Sequence, residues 1–284
     1  MKEYNAERIE KETLNSISNK GFLAVVQVGN NKDSNTYVGM KEKKCKELGI
    51  QFELIKADER ISSYELKKII RSLNKSEEVT GIIIQLPLPK HLNKNDIINT
   101  ISPEKDVDGL HSNNLGRLLI GEETIIPATA KGIVQLLKRI TELKGKHVVI
   151  IGRSNLVGKP TALLLLKEDC TITICHSKTK HLSFHTLSAD IIISAVGKKN
   201  LIKKEMVSSF SIIIDVGNDC AYEEIKGFAK YITPPKGCVG LLTIANLIRE
   251  VCNYVFCENC YKITRNYKED NFACVCEKCL NEGK

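Results

Sequence analysis

The sequence predicts an α/β protein of two domains with parallel sheets, followed by a small C-terminal zinc-binding tail. Three observations lead to this expectation. Short runs rich in Val and Ile alternate with longer helical patterns along most of the chain. One of these runs, residues 147–151, leads into a glycine-containing turn and a segment that opens with a proline. The end of the chain carries cysteine pairs in place of this alternation.

The first half of the chain supplies one set of alternating elements. We predict strands over residues 22–29, 50–57 and 79–89, the last ended by two prolines. We predict helices over residues 2–20, 34–48, 62–74 and 93–101, with Ser34 as a helix N-cap. A loop over 102–109 follows. Because helices separate the strands, the sheet is expected to be parallel and covered on both faces.

The second half repeats this style with strands over 147–151, 171–175, 190–196, 211–216 and 229–232. We place the domain boundary near Pro127. Residues 1–127, completed by a C-terminal helix over 244–256, form the predicted N-terminal domain. Residues 128–243 form a Rossmann-like domain, and residues 257–284 form the tail.

The turn after the strand HVVII has the composition of a nucleotide phosphate site. Gly152 ends the strand, and Gly158 and Pro160 open a helix over 161–166. The free N–H groups and positive dipole end of such a helix attract phosphate. Ser154 stands where a dinucleotide motif has its second glycine, so an ordinary strand–helix turn remains an alternative.

The end of the next strand, TITIC, favours NADP over NAD. An NAD site would place Asp or Glu there to bind the ribose 2′-hydroxyl. This chain has His176, Ser177 and Lys178 instead, with Arg153 in the preceding loop. Cations and a hydroxyl suit a 2′-phosphate, although these charges would also be ordinary on a solvated surface.

Composition describes a soluble globular protein of 284 residues, 42% hydrophobic and 27% charged. The net charge of +8 comes from lysines spread along the chain, so it favours anionic small molecules and gives no indication of nucleic acid. No apolar stretch approaches the ~20 residues of a membrane span. With no targeting segment apparent and scattered cysteines, we expect a cytoplasmic location.

Several polar residues of the first half stand where ligands are usually bound. Tyr37 and Lys41 share a helix face, and Gln85 lies at the carboxyl end of an apolar strand. Asp106 and Asp108 lie in a loop that can fold over the same sheet edge. Each of these signals alone is weak, since a lysine beside an aromatic residue is commonly just solvated.

Taken in order, the motifs resemble those of the bifunctional methylenetetrahydrofolate dehydrogenase/cyclohydrolase family. The resemblance covers about Phe22 to Arg249. It rests on Tyr37-x3-Lys41, QLPLP (85–89), PEKDVDG (103–109), GRSNLVGKP (152–160), CHSKT (175–179) and IDVGN (214–218). It implies oxidation of methylenetetrahydrofolate with NADP, then hydrolysis to 10-formyltetrahydrofolate, by a protein that is expected to be a homodimer.

The resemblance also implies residue roles. Tyr37 is expected to pack on the folate rings, Lys41 to be the main catalytic residue, Gln85 to hydrogen-bond it, and Asp108 to hold the pterin's amino edge. The remaining implied substrate contacts are Leu86, Gly237 and Gly240. The implied cofactor contacts are Gly152, Arg153, Ser154, Ser177 and Asn218.

The chain departs from the family pattern in several places. IDVGN lacks an isoleucine before Asn218, and PATAKG (127–132) replaces PCTPKG. The family's PVPGGVGPMT appears as PPKGCVGLLT (234–243). Because this last segment is expected to touch substrate and cofactor, one alternative is a dehydrogenase without cyclohydrolase activity. Another is a folate- or nucleotide-binding regulator whose tail recruits a partner.

The tail has the spacing of a structural zinc site. Cys257-x2-Cys260 is followed after fifteen residues by Cys276-x2-Cys279, and Cys274 is an additional sulfur. Four thiolates suit tetrahedral Zn²⁺ better than an iron–sulfur cluster. A segment this short has too small an apolar core to fold without a metal. The alternatives to a zinc site are a disordered tail or redox-active thiols.

Overall fold

The computed structural model describes residues 6–17, 19–256 and 263–265, with backbone alone for Asp33 and for the residues from Tyr254 onwards. These residues divide into two compact units. The three-strand unit comprises residues 14–117 and 122–125 and the chain from Leu247. The five-strand unit comprises the chain up to Thr13 and residues 118–121 and 126–246.

The three-strand unit is built on a parallel sheet of order β2-β1-β3. Its strands are β1 (Phe22–Val28), β2 (Gln51–Ala57) and β3 (Gly81–Gln85). Four helices follow its strands and loops: α2 (Lys32–Glu47), α3 (Ser63–Lys75), α4 (Lys94–Ile98) and α5 (Ser112–Leu119), the last reaching the other unit. The predicted strand over 79–89 is shorter than expected, because the backbone leaves the sheet before Pro87 and Pro89.

Core packing in this unit follows the two-residue period of the strands. Ala24, Val26 and Val28 of β1 pack with Leu66 and Ile70 of α3 in one buried cluster. α3 starts at a capping box, in which Ser62 Oγ accepts from Glu65 N at 3.2 Å and Glu65 Oε2 accepts from Ser62 N at 3.1 Å.

The five-strand unit has a wholly parallel sheet of order β5-β4-β6-β7-β8. Its strands are β4 (His147–Ile151), β5 (Thr171–Cys175), β6 (Ile191–Ser194), β7 (Ile212–Asp215) and β8 (Tyr231–Ile232). Its helices are α1 (Ala6–Asn15, which reaches the other unit), α6 (Ala128–Ile140), α7 (Gly158–Lys167), α8 (Leu182–Leu187) and α9 (Tyr222–Ile225). The helix predicted over 2–20 is observed as α1, and the helix predicted over 161–166 is observed as the longer α7.

Both faces of this sheet are buried, as the apolar run predicts. Val148 and Ile150 of β4 pack into one hydrophobic cluster, whereas Val149 and Ile151 pack into the cluster on the opposite face. Successive side chains of a strand point to opposite faces, so a strand between two helical layers is apolar at every position.

The C-terminal helix differs from the one expected over 244–256. α10 runs from Val239 to Cys252 and is followed by an antiparallel pair, β9 (Tyr254–Phe256) and β10 (Ile263–Arg265). The prediction was wrong at the start because residues 239–243 belong to the helix, and wrong at the end because Tyr254–Phe256 form β9. Within the described chain, none of the helices has the length and apolar character needed to cross a membrane.

The close packing at the start of α7 gives a test of the fold. A Cβ on Gly158 would lie 2.1 Å from the carbonyl oxygen of Gly152, a backbone atom that cannot move aside cheaply. We expect Gly158→Ala to lower the free energy of unfolding by about 1–3 kcal/mol or more, measured by urea denaturation.

Gly116→Ala is the matched control. Gly116 is helical, and nothing lies within 4 Å of a Cβ placed on it. Alanine there should therefore stabilise the protein by about 0.5–1 kcal/mol. Equal effects of the two substitutions would contradict the packing described for Gly158.

Candidate active site

The site in the three-strand unit starts from the N-terminus of α2. Asn31, not Ser34, is the N-cap: its Oδ1 accepts from Ser34 N at 3.0 Å. The Ser34 prediction was wrong because its buried hydroxyl has another partner, donating to Leu86 O at 3.1 Å. This bond ties the first turn of α2 to the segment that follows β3.

Gln85 links the same segment to Lys41. The Gln85 amide donates from Nε2 to Leu86 O at 3.0 Å, and its Oε1 accepts from Lys41 Nζ at 3.1 Å. Both ends of the amide are therefore used, and the orientation of Gln85 is set by two bonds. Lys41 lies one helical turn after Tyr37, whose side chain is 53% exposed.

The electrostatic environment of Lys41 opposes its charge. Burial lowers the pKa of the Lys41 ammonium, and the carboxylate of Asp108 works in the other direction. Burial likewise raises the pKa of Asp108, and Lys41 opposes that shift. The two groups are thus close enough to influence each other in surroundings that penalise both charges.

The loop PEKDVDG holds Asp108 through its preceding residues. The buried Lys105 ammonium donates to the carbonyls of Asn74 and Ser76 at 2.8 and 2.6 Å, at the C-terminal end of α3. Val107 packs so closely on Gly81 that a Cβ there would lie 2.7 Å from Val107 Cγ1. The loop is therefore anchored on both sides of Asp106.

Asp106 completes this anchoring from inside the protein. Its Oδ2 accepts from His111 N at 2.7 Å and from Asn114 Nδ2 at 3.0 Å. Burial raises the pKa of Asp106 to about 6, while these two hydrogen bonds work against the rise. Asp106 is thus buried and hydrogen-bonded to groups of the protein itself. The nearby Asp108 is only partly buried, so its carboxylate is accessible to a ligand.

The five-strand unit has its own ligand edge. In chain order its strands run 2-1-3-4-5, and such sheets bind ligands at the carboxyl ends of the strands where this order reverses, here β4 and β6. Gly152, with φ +123°, leads away from β4 at that point. A Cβ on Gly152 would lie 2.6 Å from Ala195 O, so the loops after β4 and β6 touch.

The turn after Gly152 is more internally bonded than the sequence predicts. Ser154 Oγ accepts from Val157 N at 3.1 Å, and Ser154 O accepts from Lys159 N at 3.1 Å. These N–H groups are therefore not free to bind phosphate. The Ser154 hydroxyl can still donate a hydrogen bond, so its predicted contact remains compatible with this geometry.

The other predicted cofactor contacts are accessible. Arg153 and Ser177 are exposed, as is Lys178, and β5 ends in Cys175 without an acidic residue after it. Asn218 has left-handed backbone, with φ +54°, in the turn after β7. These residues fit a cofactor that carries a 2′-phosphate, since cations and a hydroxyl stand where an NAD site has a carboxylate.

The altered segment 234–243 is accommodated by the fold. Cys238 is buried in a hydrophobic cluster, where burial raises the pKa of its thiol to about 11. Leu241, which replaces a family proline, donates its N–H to Cys238 O at 3.1 Å in the first turn of α10. Gly237 has φ +75°, and Gly240 lies in that same helical turn, so both belong to the five-strand unit.

Comparison with known families agrees with these two sets of residues. The catalytic domain model of tetrahydrofolate dehydrogenase/cyclohydrolase matches residues 1–108, and the NAD(P)-binding domain model matches residues 127–258. The chain belongs to the tetrahydrofolate dehydrogenase/cyclohydrolase family. Residues 85–89 and 103–108 fall in the first match, and the turn after Gly152 falls in the second.

Individual members of the family are similar over most of their length. The bifunctional protein FolD of Brevibacillus brevis is 44% identical over 238 residues, which is 80% of this chain and 84% of that protein. The FolD protein of Clostridium novyi is 43% identical over 259 residues, covering 87% of this chain and 93% of its own.

Solved structures show the same architecture. The bifunctional enzyme FolD from Campylobacter jejuni superposes with a TM-score of 0.82 at 40% identity, covering 87% of this chain and 94% of its own. The dehydrogenase-cyclohydrolase of Trypanosoma brucei, solved with NADP and an inhibitor, gives a TM-score of 0.82 at 31% identity, covering 87% and 93%. These similarities confirm the two-domain α/β fold with an NAD(P)-binding domain.

Sequence reasoning missed Asn31 and Lys105, and it gave Ser34 the wrong role. Asn31 caps α2, the Ser34 hydroxyl donates to Leu86 O, and Lys105 anchors the loop of Asp108. The carbonyl partners of Lys105 lie 31 and 29 residues earlier in sequence, at Asn74 and Ser76, so the motif PEKDVDG alone does not reveal them. The partner of Ser34 is 52 residues away in sequence, so no local pattern reveals it.

The predicted zinc ligands Cys257, Cys260, Cys276 and Cys279 lie outside the described residues. Within residues 6–17, 19–256 and 263–265, no group of three or more His, Cys, Asp or Glu side chains is arranged to hold a metal ion.

The opposed charges at Lys41 predict a pH effect. Asp108→Asn removes the group that raises the pKa of Lys41 and leaves the burial that lowers it. The pKa of Lys41 should therefore fall further, so that the neutral amine appears at lower pH. Competitive acylation across a pH series, followed by peptide mass spectrometry, measures this.

Exposed Lys43, on the same helix, is the internal control, and its labelling profile should stay unchanged. A shift of the Lys41 profile to higher pH in Asp108→Asn would contradict the electrostatic relation described here.

Proposed function

We propose that this protein oxidises 5,10-methylenetetrahydrofolate to 5,10-methenyltetrahydrofolate with NADP, and then hydrolyses the methenyl form to 10-formyltetrahydrofolate. The observation that carries the proposal is the 3.1 Å hydrogen bond between Lys41 and Gln85 beside Asp108, in a chain of this family. The three-strand unit would bind the folate, and the five-strand unit would bind the cofactor.

In the first reaction, bound NADP supplies the nicotinamide ring that accepts a hydride from the one-carbon bridge. Loss of hydride leaves a cationic methenyl bridge on the folate. A fully charged lysine at that carbon would disfavour the cation by repulsion, whereas the lowered pKa of Lys41 favours the neutral amine.

In the second reaction, water adds to the methenyl carbon and the ring opens. This step requires a group that removes a proton from the water and delivers one to the departing nitrogen. A neutral Lys41, oriented by Gln85, has the chemistry for both transfers. Asp108 would accept hydrogen bonds from the amino edge of the pterin, which are directional because one partner is charged.

On the cofactor side, Gly152, Arg153, Ser154, Ser177 and Asn218 are the proposed contacts. Arg153 and Ser177 would bind the 2′-phosphate of NADP. The domain boundaries near residues 127 and 243, a homodimeric state and a cytoplasmic location are further parts of this proposal.

Two alternatives make different predictions. A dehydrogenase without cyclohydrolase activity requires the altered segment 234–243 to disable hydrolysis. The burial of Cys238 and the hydrogen bond of Leu241 favour an intact helix start instead. A binding-only regulator has no use for a lysine whose charge is destabilised at the reacting carbon.

Lys41→Ala tests the catalytic assignment. We expect hydrolysis of methenyltetrahydrofolate to slow by at least ~100-fold, the size of effect typical of lost general acid–base catalysis. NADP affinity should stay within about twofold because Lys41 is not a proposed cofactor contact. Stopped-flow absorbance of the methenyl form and calorimetric titration of NADP measure the two quantities.

Lys43→Ala is the matched control, since its side chain is 80% exposed on the same helix and its ion pair with Glu47 is long, at 4.0 Å. It should retain the wild-type rate. Normal hydrolysis by Lys41→Ala would remove Lys41 from the mechanism.

Arg153→Ala tests the preference for NADP. Charged hydrogen bonds contribute about 1.5–3 kcal/mol, and an exposed arginine should contribute less than this because solvent screens it. We therefore expect affinity for NADP to fall roughly tenfold while affinity for NAD changes little. Lys167→Ala, at the far end of α7, is the control, and equal losses for both cofactors would show that Arg153 does not bind the phosphate.

We also propose that Cys257, Cys260, Cys276 and Cys279 bind one structural Zn²⁺. The spacing supports this, because two C-x2-C pairs separated by fifteen residues are typical of a four-cysteine zinc site.

Elemental analysis of protein purified without added metal should give one zinc per chain. Cys276→Ser should reduce this content, whereas Cys274→Ser should not, because Cys274 is outside the four-cysteine spacing. Removal of the zinc with a chelator should leave dehydrogenase turnover intact. Adding zinc back should release protons, because the cysteine thiols are deprotonated when they bind the metal. Metal-free protein with four titrating thiols would rule out the site.

A further inference from the structure

Asp219 is a fully buried carboxylate that closes the loop after β6. Its Oδ2 accepts from Ser194 Oγ at 2.7 Å and from Val196 N at 2.9 Å, and its Oδ1 accepts from Lys198 N at 2.5 Å. One side chain therefore fixes the end of β6 and two backbone N–H groups of the following loop. Charge-assisted bonds of this kind are stronger than those between neutral groups.

Asp219 is itself held by the end of β7. Its N–H donates to Asp215 Oδ1 at 2.8 Å, after a turn in which Asn218 has φ +54°. A Cβ on Gly217 would lie 2.6 Å from Asp219 Oδ2 and 2.7 Å from Gly197 N. The glycine therefore lets the turn approach the β6 loop closely enough for the carboxylate to reach its donors.

The loop that Asp219 holds lies at the ligand edge of the sheet. Ala195 N donates to Ile151 O at 2.9 Å, and a Cβ on Gly152 would lie only 2.6 Å from Ala195 O. The loop over 195–198 is therefore next to the turn that holds the proposed cofactor contacts Gly152, Arg153 and Ser154. Val196 has its N–H bound to Asp219, while its side chain is 49% exposed and offers an apolar surface there.

We propose that Asp219 is a positioning residue for the dinucleotide cofactor, holding residues 195–198 as one wall of its binding crevice between β4 and β6. The inference rests on the proposed NADP-dependent function and adds to it a residue that does not touch the cofactor. It also gives a role to the shortened IDVGN segment. Asp219, the residue after Asn218, accepts hydrogen bonds from Val196 N and Lys198 N in the loop after β6.

The main variant is Asp219→Asn, which preserves size but places an NH₂ group against N–H donors. We expect the dissociation constant of NADPH, measured by its fluorescence, to rise at least tenfold. The rate of methenyltetrahydrofolate hydrolysis, which uses no NADP, should change less than twofold. A merely structural residue would lower both activities and the melting temperature together.

A pair of serines gives a matched comparison that does not depend on the tolerance of Asp219→Asn. Ser194 and Ser211 are both fully buried, but Ser194 donates to Asp219 at the carboxyl edge, and Ser211 donates to Ala189 O at 2.9 Å before β7. Ser194→Ala should weaken NADPH binding severalfold. Ser211→Ala should leave it unchanged at a similar loss of thermal stability.

Unchanged NADPH affinity in Asp219→Asn, or equal affinities in the two serine variants, would overturn the inference. So would a parallel loss of affinity, hydrolysis and stability in Asp219→Asn. If the wild-type protein bound neither NADP nor NAD, the proposed function itself would fail, and that result is separate from any effect of the variants.

Discussion

The hydrogen bond from Lys41 to Gln85 joins α2, the helix after β1, to the end of β3. Other contacts of the three-strand unit hold both ends of this bond in place. Ser34 and Gln85 both donate to the carbonyl of Leu86, so the segment after β3 is bound from the helix and from the strand. A lysine on a flexible stem is poorly placed by packing alone, because its four-carbon chain has many rotamers. The hydrogen bond to Gln85, itself held by Leu86 O, reduces that freedom, and its uncharged acceptor does not oppose the lowered pKa of Lys41.

Burying an ammonium group is unfavourable, and the protein partly offsets this with Asp108. That carboxylate must be close enough to act on Lys41 and still be available to a ligand. Lys105, Asp106 and Val107 take the loop's internal contacts, which leaves Asp108 partly exposed. Four successive residues of PEKDVDG, from Lys105 to Asp108, therefore each have a physical role in the site.

How much the sequence predicts depends on the range of the interactions. The strands β4, β6 and β7 follow from continuous apolar runs, because burial on both faces favours an apolar residue at nearly every position. The choice of Asn31 over Ser34 as N-cap does not follow, because it depends on a carbonyl contributed by Leu86. The start of α10 at Val239 was not predicted, because the nearby glycines Gly237 and Gly240 are more typical of a loop than of a helix.

The residues proposed to bind or position the cofactor also differ in how far the sequence reveals them. Gly152, Arg153 and Ser154 were found because a strand, a glycine and a helix start are adjacent in sequence. Asp219 was not found, because its donors lie more than 20 residues earlier in the chain and meet it only when β6 and β7 pair. In a parallel sheet, every strand delivers its carboxyl end to the same edge, so residues distant in sequence become neighbours there. The residues that shape such an edge are therefore less visible in sequence than the residues that touch the ligand.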